Sequence, residues 1–304
     1  MYLITISGYI ELQKFITKNG LSTYEMVNLS IGNDDKIYCL FTENIPSRIK
    51  DMFEPTINNS IYKAASFDVN WTSGEIYSSE VINFGLLKIN YHFIQPIEEN
   101  YLLLGARAML YKDGETEKNA LIIDRFGNKI NEICLGDGIQ NCLVDSKNNI
   151  ITGYFDEGIF GNYGWDKPIG ENGIIKWSCK GEKLWENKSR NIYDCYAMNI
   201  DDKDILWFYY YDDFYLVKTD YISEVVYNPK INGSDGFLLS KMGTAILFQK
   251  GYDKKGFCTM RIKHDRISEP TDCKVTHNGA ANAIDILRAE RKGLRKIYRI
   301  NHNP

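Results

Sequence analysis

The seven cysteines (39, 134, 142, 179, 195, 258 and 273) include no C-x-x-C pair. Their odd number and wide spacing argue against a zinc site or a disulfide framework and predict free thiols. No stretch is long and alanine-rich, which removes a helical bundle as the default architecture. Basic surplus is also missing: 36 Lys and Arg stand against 40 Asp and Glu, for a formal net charge of −4. Neutralising a phosphate backbone needs a local excess of cations, so nucleic acid is not the expected partner. The opening MYLITISGYIELQKF lacks a basic leader, and Ser7, Gly8 and Glu11 interrupt its apolar run. No signal peptide, no membrane span and a cytoplasmic location are the expectation. Histidine is scarce, with only His92, His264, His277 and His302. None accompanies a G-x-S-x-G, H-E-x-x-H, P-loop or dinucleotide fingerprint, and no cofactor is expected.

What the chain does have is aromatic, β-rich sequence. Tyr and Phe number 21 and 14, and aromatics make up 13% of residues. Residues of this kind fill pleated, half-buried surfaces. Three stretches, FDVNWTSGEIYSSEV, ALIIDRFGNKINEI and GIIKWSCKGEKLWEN, each read as an alternating strand, a tight turn with Gly near its end, and a second alternating strand. Their glycines are Gly74, Gly127 and Gly181. Between them lie hairpins of a second type, CLVDSKNNIITGYF and YAMNIDDKDILWFYYY, with Asp, Asn and Lys clustered at the turn. Such side chains hydrogen-bond their own backbone there.

Lettering the strands of a unit a to d, the second type forms a–b hairpins and the first c–d hairpins. Strand c then falls near Ala65–Asn70, Ala120–Asp124, Gly173–Ser178, Phe214–Thr219, Phe257–Lys263 and Leu294–Ile300. Six units of roughly 37 to 55 residues have the size of β-propeller blades. The expected fold is therefore all-β: one domain over residues 1–304, a six-bladed propeller. Its last unit lacks a strand d, which the surplus N-terminal strand Tyr2–Ile10 would replace to close the ring. GIIKWSCKGEKLWE, with its apolar strand, x-x-G turn and Trp185, resembles the degenerate repeats of WD40-like, YVTN-like and PQQ-like propellers. YFDEGIFGN…PIG…GIIKW also resembles a segment of uncharacterised bacterial propeller proteins, a resemblance that implies no function. The rival architecture is two smaller β domains divided near Glu115–Asn119, where KDGETEKN interrupts the apolar pattern.

The units differ most in the link between strands b and c. In the fourth it is only Asp212–Asp213, whereas the first three have about Thr42–Lys63, Ala108–Asn119 and the stretch between Tyr154 and Gly173. Long loops on a rigid scaffold are where binding sites concentrate. The third link, YFDEGIFGNYGWDKPIGENGI, combines flexible glycines with Phe160, Tyr163 and Trp165 and with the carboxylates Asp156, Glu157, Asp166 and Glu171. Two roles suit it: an aromatic plug packed on the scaffold, or an aromatic and acidic patch that recognises a protein partner. The candidate contact residues are Asp156, Glu157, Tyr163, Trp165 and Asp166, with Arg48 and Arg107 from the neighbouring units. Under the second role Tyr163 and Trp165 can be cut to Ala without loss of stability. A binding protein, such as an inhibitor or immunity partner of a toxin, is the leading reading. A hydrolase or lyase with a carboxylate or metal site at a propeller channel mouth is the alternative.

Other features have plainer readings. The acidic turns Asp201–Asp204 and Asp212–Asp213 lack the D-x-[DN]-x-[DN]-G pattern of a calcium loop. Tyr209–Tyr211 alternates faces along a strand, and Trp177 and Trp185 are packing residues rather than quinone contacts. Arg288, Arg291, Lys292, Arg295, Lys296 and Arg299 suit a solvated face, and 46–55 a short helix.

Overall fold

A computed structural model describes residues 2–46, 48–49, 52–53, 59–71, 73–240, 243–252, 256–276 and 297–301. The protein is all-β, built largely of four-stranded antiparallel sheets with very little helix. The first sheet runs Glu25–Ile31, Ile37–Thr42, Ser60–Asn70, Glu75–Leu87, and the second Phe93–Ile97, Asn100–Leu104, Ala120–Ile123, Lys129–Ile133. The third comprises Ile139–Val144, Ile150–Tyr154, Ile174–Trp177, Lys183–Glu186, and the fourth Asp194–Ile200, Leu206–Tyr211, Leu216–Thr219, Glu224–Tyr227. In each, chain order is spatial order. Strand c takes third place where the turn pattern puts it.

Two kinds of turn chemistry produce this order. Gly74, Gly127 and Gly181 all have positive φ (80°, 83° and 85°) in the c–d turns, a conformation that costs a residue with a Cβ free energy. In the a–b turns a carboxylate caps the backbone: Asp145 Oδ1 accepts from the amides of Lys147 (2.9 Å) and Asn149 (2.8 Å), and Asp201 Oδ1 from those of Lys203 (2.9 Å) and Ile205 (3.1 Å). Asp145 is buried and also holds Lys176 at 2.8 Å. Burial alone would raise its pKa, but the bonds from Lys176 and Asn149 outweigh burial and hold the carboxyl below its ordinary range.

Burial falls from the first strands of a sheet to the last. In the second sheet Ile94, Leu102–Leu104 and Ala120–Ile123 are buried, whereas Lys129, Ile130 and Glu132 of strand d are exposed. Pro96 sits in an edge strand, where a missing N–H breaks no ladder.

The chain divides into two compact units, one of residues 14–68 and 78–194, the other of 1–13, 69–77 and 195–304. In the first, strands a of sheets one, two and three are neighbours, with Phe93–Ile97 in the middle. Its core interleaves Tyr38, Leu40, Tyr62 and Phe84 with Ile94, Tyr101, Leu103 and Leu121. In the second, Trp207, Tyr209, Leu216 and Tyr227 pack on Phe237, Leu239, Ile246 and Phe248. Tyr209 and Tyr210 are both fully buried, on opposite faces of their strand.

The fifth sheet begins with Phe237–Leu239, Ala245–Gln249, Phe257–Lys263 and Thr271–Thr276, then adds Tyr2–Glu11 and Ile297–Asn301. The N-terminal strand pairs with Ile297–Asn301, which overlaps the segment expected as the last strand c, Ile6 opposite Ile297, but in parallel. Its first residues, Tyr2–Thr5, pair, also in parallel, with Cys273–Thr276. No hairpin joins these segments to impose antiparallel pairing. Residues 277–296, which include His277 and most of the basic segment, lie outside the described residues, as does His302.

Two expectations are corrected. KDGETEKN does not separate domains, because the strands flanking it, Asn100–Leu104 and Ala120–Ile123, pair directly. Within 46–55 the described residues form two short antiparallel strands, Arg48–Ile49 and Met52–Phe53, rather than a helix. The cysteines are free. Among the described residues no helix is long and apolar enough to cross a membrane.

Candidate functional site

The long links are as uneven as expected: 43–59, 105–119 and 155–173 in the first three sheets, against 212–215 and 250–256 in the next two. Those of the second and third sheets meet at a buried arginine, which reaches the third link through Glu157. Arg107, 4% exposed, donates from Nε to Asp137 Oδ1 at 2.8 Å and from Nη2 to Oδ2 at 2.7 Å, the two-pronged geometry that suits guanidinium to carboxylate. Its Nη1 donates to Glu157, and Tyr163 lies over the guanidinium with the ring centroid 4.1 Å away. Ala108 N donates to Asp137 Oδ1 at 2.9 Å. Burial works against the charge on Arg107, and the hydrogen bonds and charges of Asp137 and Glu157 more than offset it, so its pKa is raised.

Around this pair the third link is fastened by backbone. Leu110 N donates to Tyr163 O at 3.1 Å, Phe155 N to Gly138 O at 2.9 Å, and the Trp165 indole Nε1 to Ala108 O at 2.7 Å. A Cβ on Gly158 would stand 2.4 Å from Asp137 O, and one on Gly138 2.3 Å from Gly158 N, so these loops approach only because both residues are glycine. Asn119 completes the joint, donating to Gly105 O and Gly136 O at 2.9 Å and accepting from Leu135 N at 3.0 Å.

Of the candidate residues, Arg107, Glu157 and Tyr163 come together, and Trp165 joins them through Ala108. Arg107 and Trp165 face inward, at 4% and 7% exposure, so they shape the link rather than present a surface. The expectation that Trp165 can be removed at no cost is corrected by that burial. Asp156 and Asp166 are exposed. The side chain of Arg48 lies outside the described residues.

Sequence reasoning missed Asp137, Tyr193 and Asp194. The short helix Asp156–Phe160 ends on Phe160, 64% exposed, whose ring contacts that of Tyr193 with centroids 5.6 Å apart and a 40° tilt. Beside it, Asp194 Oδ1 is buried with no hydrogen-bond partner. Burial, with a further contribution from the charge of Asp156, pushes the Asp194 pKa up from its ordinary value of 3.8 to about 7. The folded state therefore holds this proton more tightly than the unfolded one, and stability is lost as pH rises from about 4 to about 7. Asp194→Asn is expected to raise stability by about 1–3 kcal/mol at pH 8 and to leave it unchanged at pH 4, read from urea titrations at both values. Equal effects at the two pH values contradict the assignment.

Among the described residues no group of three or more His, Cys, Asp or Glu is placed to hold a metal ion. No protein-family model matches the chain, and no curated protein sequence does. Solved structures similar to it include Hsv2 from Kluyvelomyces marxianus, at 7% identity and TM-score 0.46 over 78% of this chain and 62% of that one. The chain thus spans less than two thirds of that protein. YCF48 bound to D1 peptide matches at 9% identity and TM-score 0.42, covering 88% of this chain and 81% of that one. Virginiamycin B lyase from Staphylococcus aureus matches at 10% and 0.40, with coverages of 79% and 82%. These are propeller-type proteins. With TM-scores of 0.46, 0.42 and 0.40, each is a likeness and nothing more.

Proposed function

We propose that the chain is a non-catalytic interaction protein that recognises a protein partner through the long b–c links of its first three sheets, in the manner of an inhibitor or immunity-type protein. One observation carries this: the third link is anchored from beneath by Arg107 and Trp165 and carries Phe160, against Tyr193, and Asp156 at its surface, with Phe160 and Tyr193 64% and 37% exposed. Rigid presentation of aromatic rings lowers the entropy lost on binding, and buried aromatic anchors dominate interface energetics. Asp156, Glu157, Tyr163 and Asp166 belong to the same link, and Arg48 to the first one.

A six-bladed propeller closed by the N-terminal strand, forming one domain, is part of the same proposal. What supports it is the repeated a–b–c–d order and the pairing of Tyr2–Glu11 with Ile297–Asn301. No specific observation favours a channel-mouth hydrolase or lyase.

The test is affinity capture from lysate, comparing the native chain with the double variant Phe160→Ser, Tyr193→Ser. Loss of the captured protein is expected, with a stability change within about 0.5 kcal/mol, as for surface substitutions generally. Recovery of the same protein by both forms overturns the proposal.

A further inference from the structure

The exposed face of the third link has a definite chemistry. Asp156 and Phe160 are four residues apart on one helix and share its face. That face meets the segment carrying Tyr193 and Asp194, since the Phe160 and Tyr193 rings touch and Asp194 feels the charge of Asp156. Two aromatic rings and two carboxylates, one of which has a buried oxygen with no hydrogen-bond partner, are thus gathered at one place. The link around them exposes Asp156, Asp166 and Glu171 against Lys167. Glu157, the remaining acid of the helix, is turned inward to Arg107.

We propose that the patch of Asp156, Phe160, Tyr193 and Asp194 receives an arginine side chain of the protein partner. The inference rests on the binding reading above and names what that surface takes. The charge of the patch is complementary to a cation, and the aromatic faces attract a flat guanidinium through their negative π-clouds. A guanidinium also donates in a planar fork to carboxylate oxygens, which an ammonium cannot copy. Asp194, part-buried beside Tyr193, adds a second carboxylate charge to the patch.

The probe is a labelled Gly/Ser heptapeptide carrying two arginines, compared with versions carrying two lysines or two citrullines. Citrulline has nearly the shape of arginine and no charge. Fluorescence polarisation at pH 8, where Asp194 is mostly ionised, reads the affinities. Saturable binding of the arginine peptide is expected, weaker by about tenfold or more with citrulline and weaker with lysine. Asp156→Asn and Phe160→Ser are each expected to weaken it severalfold while the thermal midpoint stays in place. Equal binding of the arginine and citrulline peptides overturns the proposal, as does equal binding by the native chain and both variants. If no peptide binds while Phe160→Ser, Tyr193→Ser still abolishes partner capture, the arginine occupant falls and the binding reading stands. If that variant captures the partner unchanged, both fall.

Discussion

Arg107→Ala is expected to lower the free energy of unfolding by about 3–5 kcal/mol, the range for breaking a buried ion pair from one side. The substitution leaves Asp137, itself only 2% exposed, with its charge in the interior and only backbone donors such as Ala108 N to serve it. It also removes the anchor of Glu157 and the cation beneath the Tyr163 ring. Arg107→Lys is expected to recover only part of the loss, because a single ammonium cannot serve both Asp137 oxygens and Glu157. Replacing Asp137 together with Arg107 should cost less than the two single losses added, since only the part-exposed Glu157 is then left without its partner and no fully buried charge is. Urea titrations of the four proteins at pH 7 measure this cycle. A loss below about 1 kcal/mol for Arg107→Ala would show that the pair is not buried as described.

This ion pair ties together three segments far apart in sequence: Arg107 from the second link, Asp137 from the connection into the third sheet, and Glu157 and Tyr163 from the third link. A charged group in such a place is expensive to desolvate, and apolar packing could hold the loops at lower cost. What the guanidinium adds is direction. Its fork fixes Asp137, its remaining nitrogen fixes the first turn of the helix Asp156–Phe160, and its flat face fixes Tyr163. Tyr163 itself has φ of 45°, an uncommon conformation for a residue with a side chain, here maintained by the Leu110 N to Tyr163 O bond and the stacking on Arg107.

The sheets were legible in the sequence because their signals are local. A c–d turn announces itself by a glycine that must take positive φ, and an a–b turn by an Asp that caps amides two and four residues on; both can be read within a dozen residues. The unequal b–c links were legible for the same reason, as the spacing left over. The interior of the site was not. Whether Arg107 points inward depends on a carboxylate thirty residues away, and nothing near FIQPI or LGARAML signals it. The five-residue helix was hidden by Gly158 at its centre, a poor helix former that is there because Asp137 O leaves no room for a Cβ. Nothing marks Tyr193 and Asp194 in the sequence because they stand at the start of an ordinary strand a; only the helix makes them part of a surface. The N-terminal strand was legible as a strand, but its parallel pairing was not, since alternation carries no sense of direction.

Trp165 and Phe160 look alike in the sequence, two large aromatics in one glycine-rich loop, and the structure assigns them opposite parts. Trp165→Ala is expected to cost about 3–5 kcal/mol, the range for deleting a buried aromatic side chain, because its indole is 7% exposed and its N–H is bonded to Ala108 O. That carbonyl loses its donor, and the space left lies between two links that other contacts hold in place, so collapse can relieve little of it. Trp165→Phe restores most of the apolar contact and none of the hydrogen bond, and should therefore cost less than Ala. Phe160→Ala, at 64% exposure, is expected to stay within about 0.5 kcal/mol of the native chain. Urea unfolding curves for the three variants, taken beside partner capture, separate anchoring from presentation. Trp165→Ala should weaken capture through a loosened link, and Phe160→Ala should weaken it with the link intact. If instead Trp165→Ala unfolds like the native chain, the link is not anchored through this indole, and the rigid presentation on which the binding reading depends is lost with it.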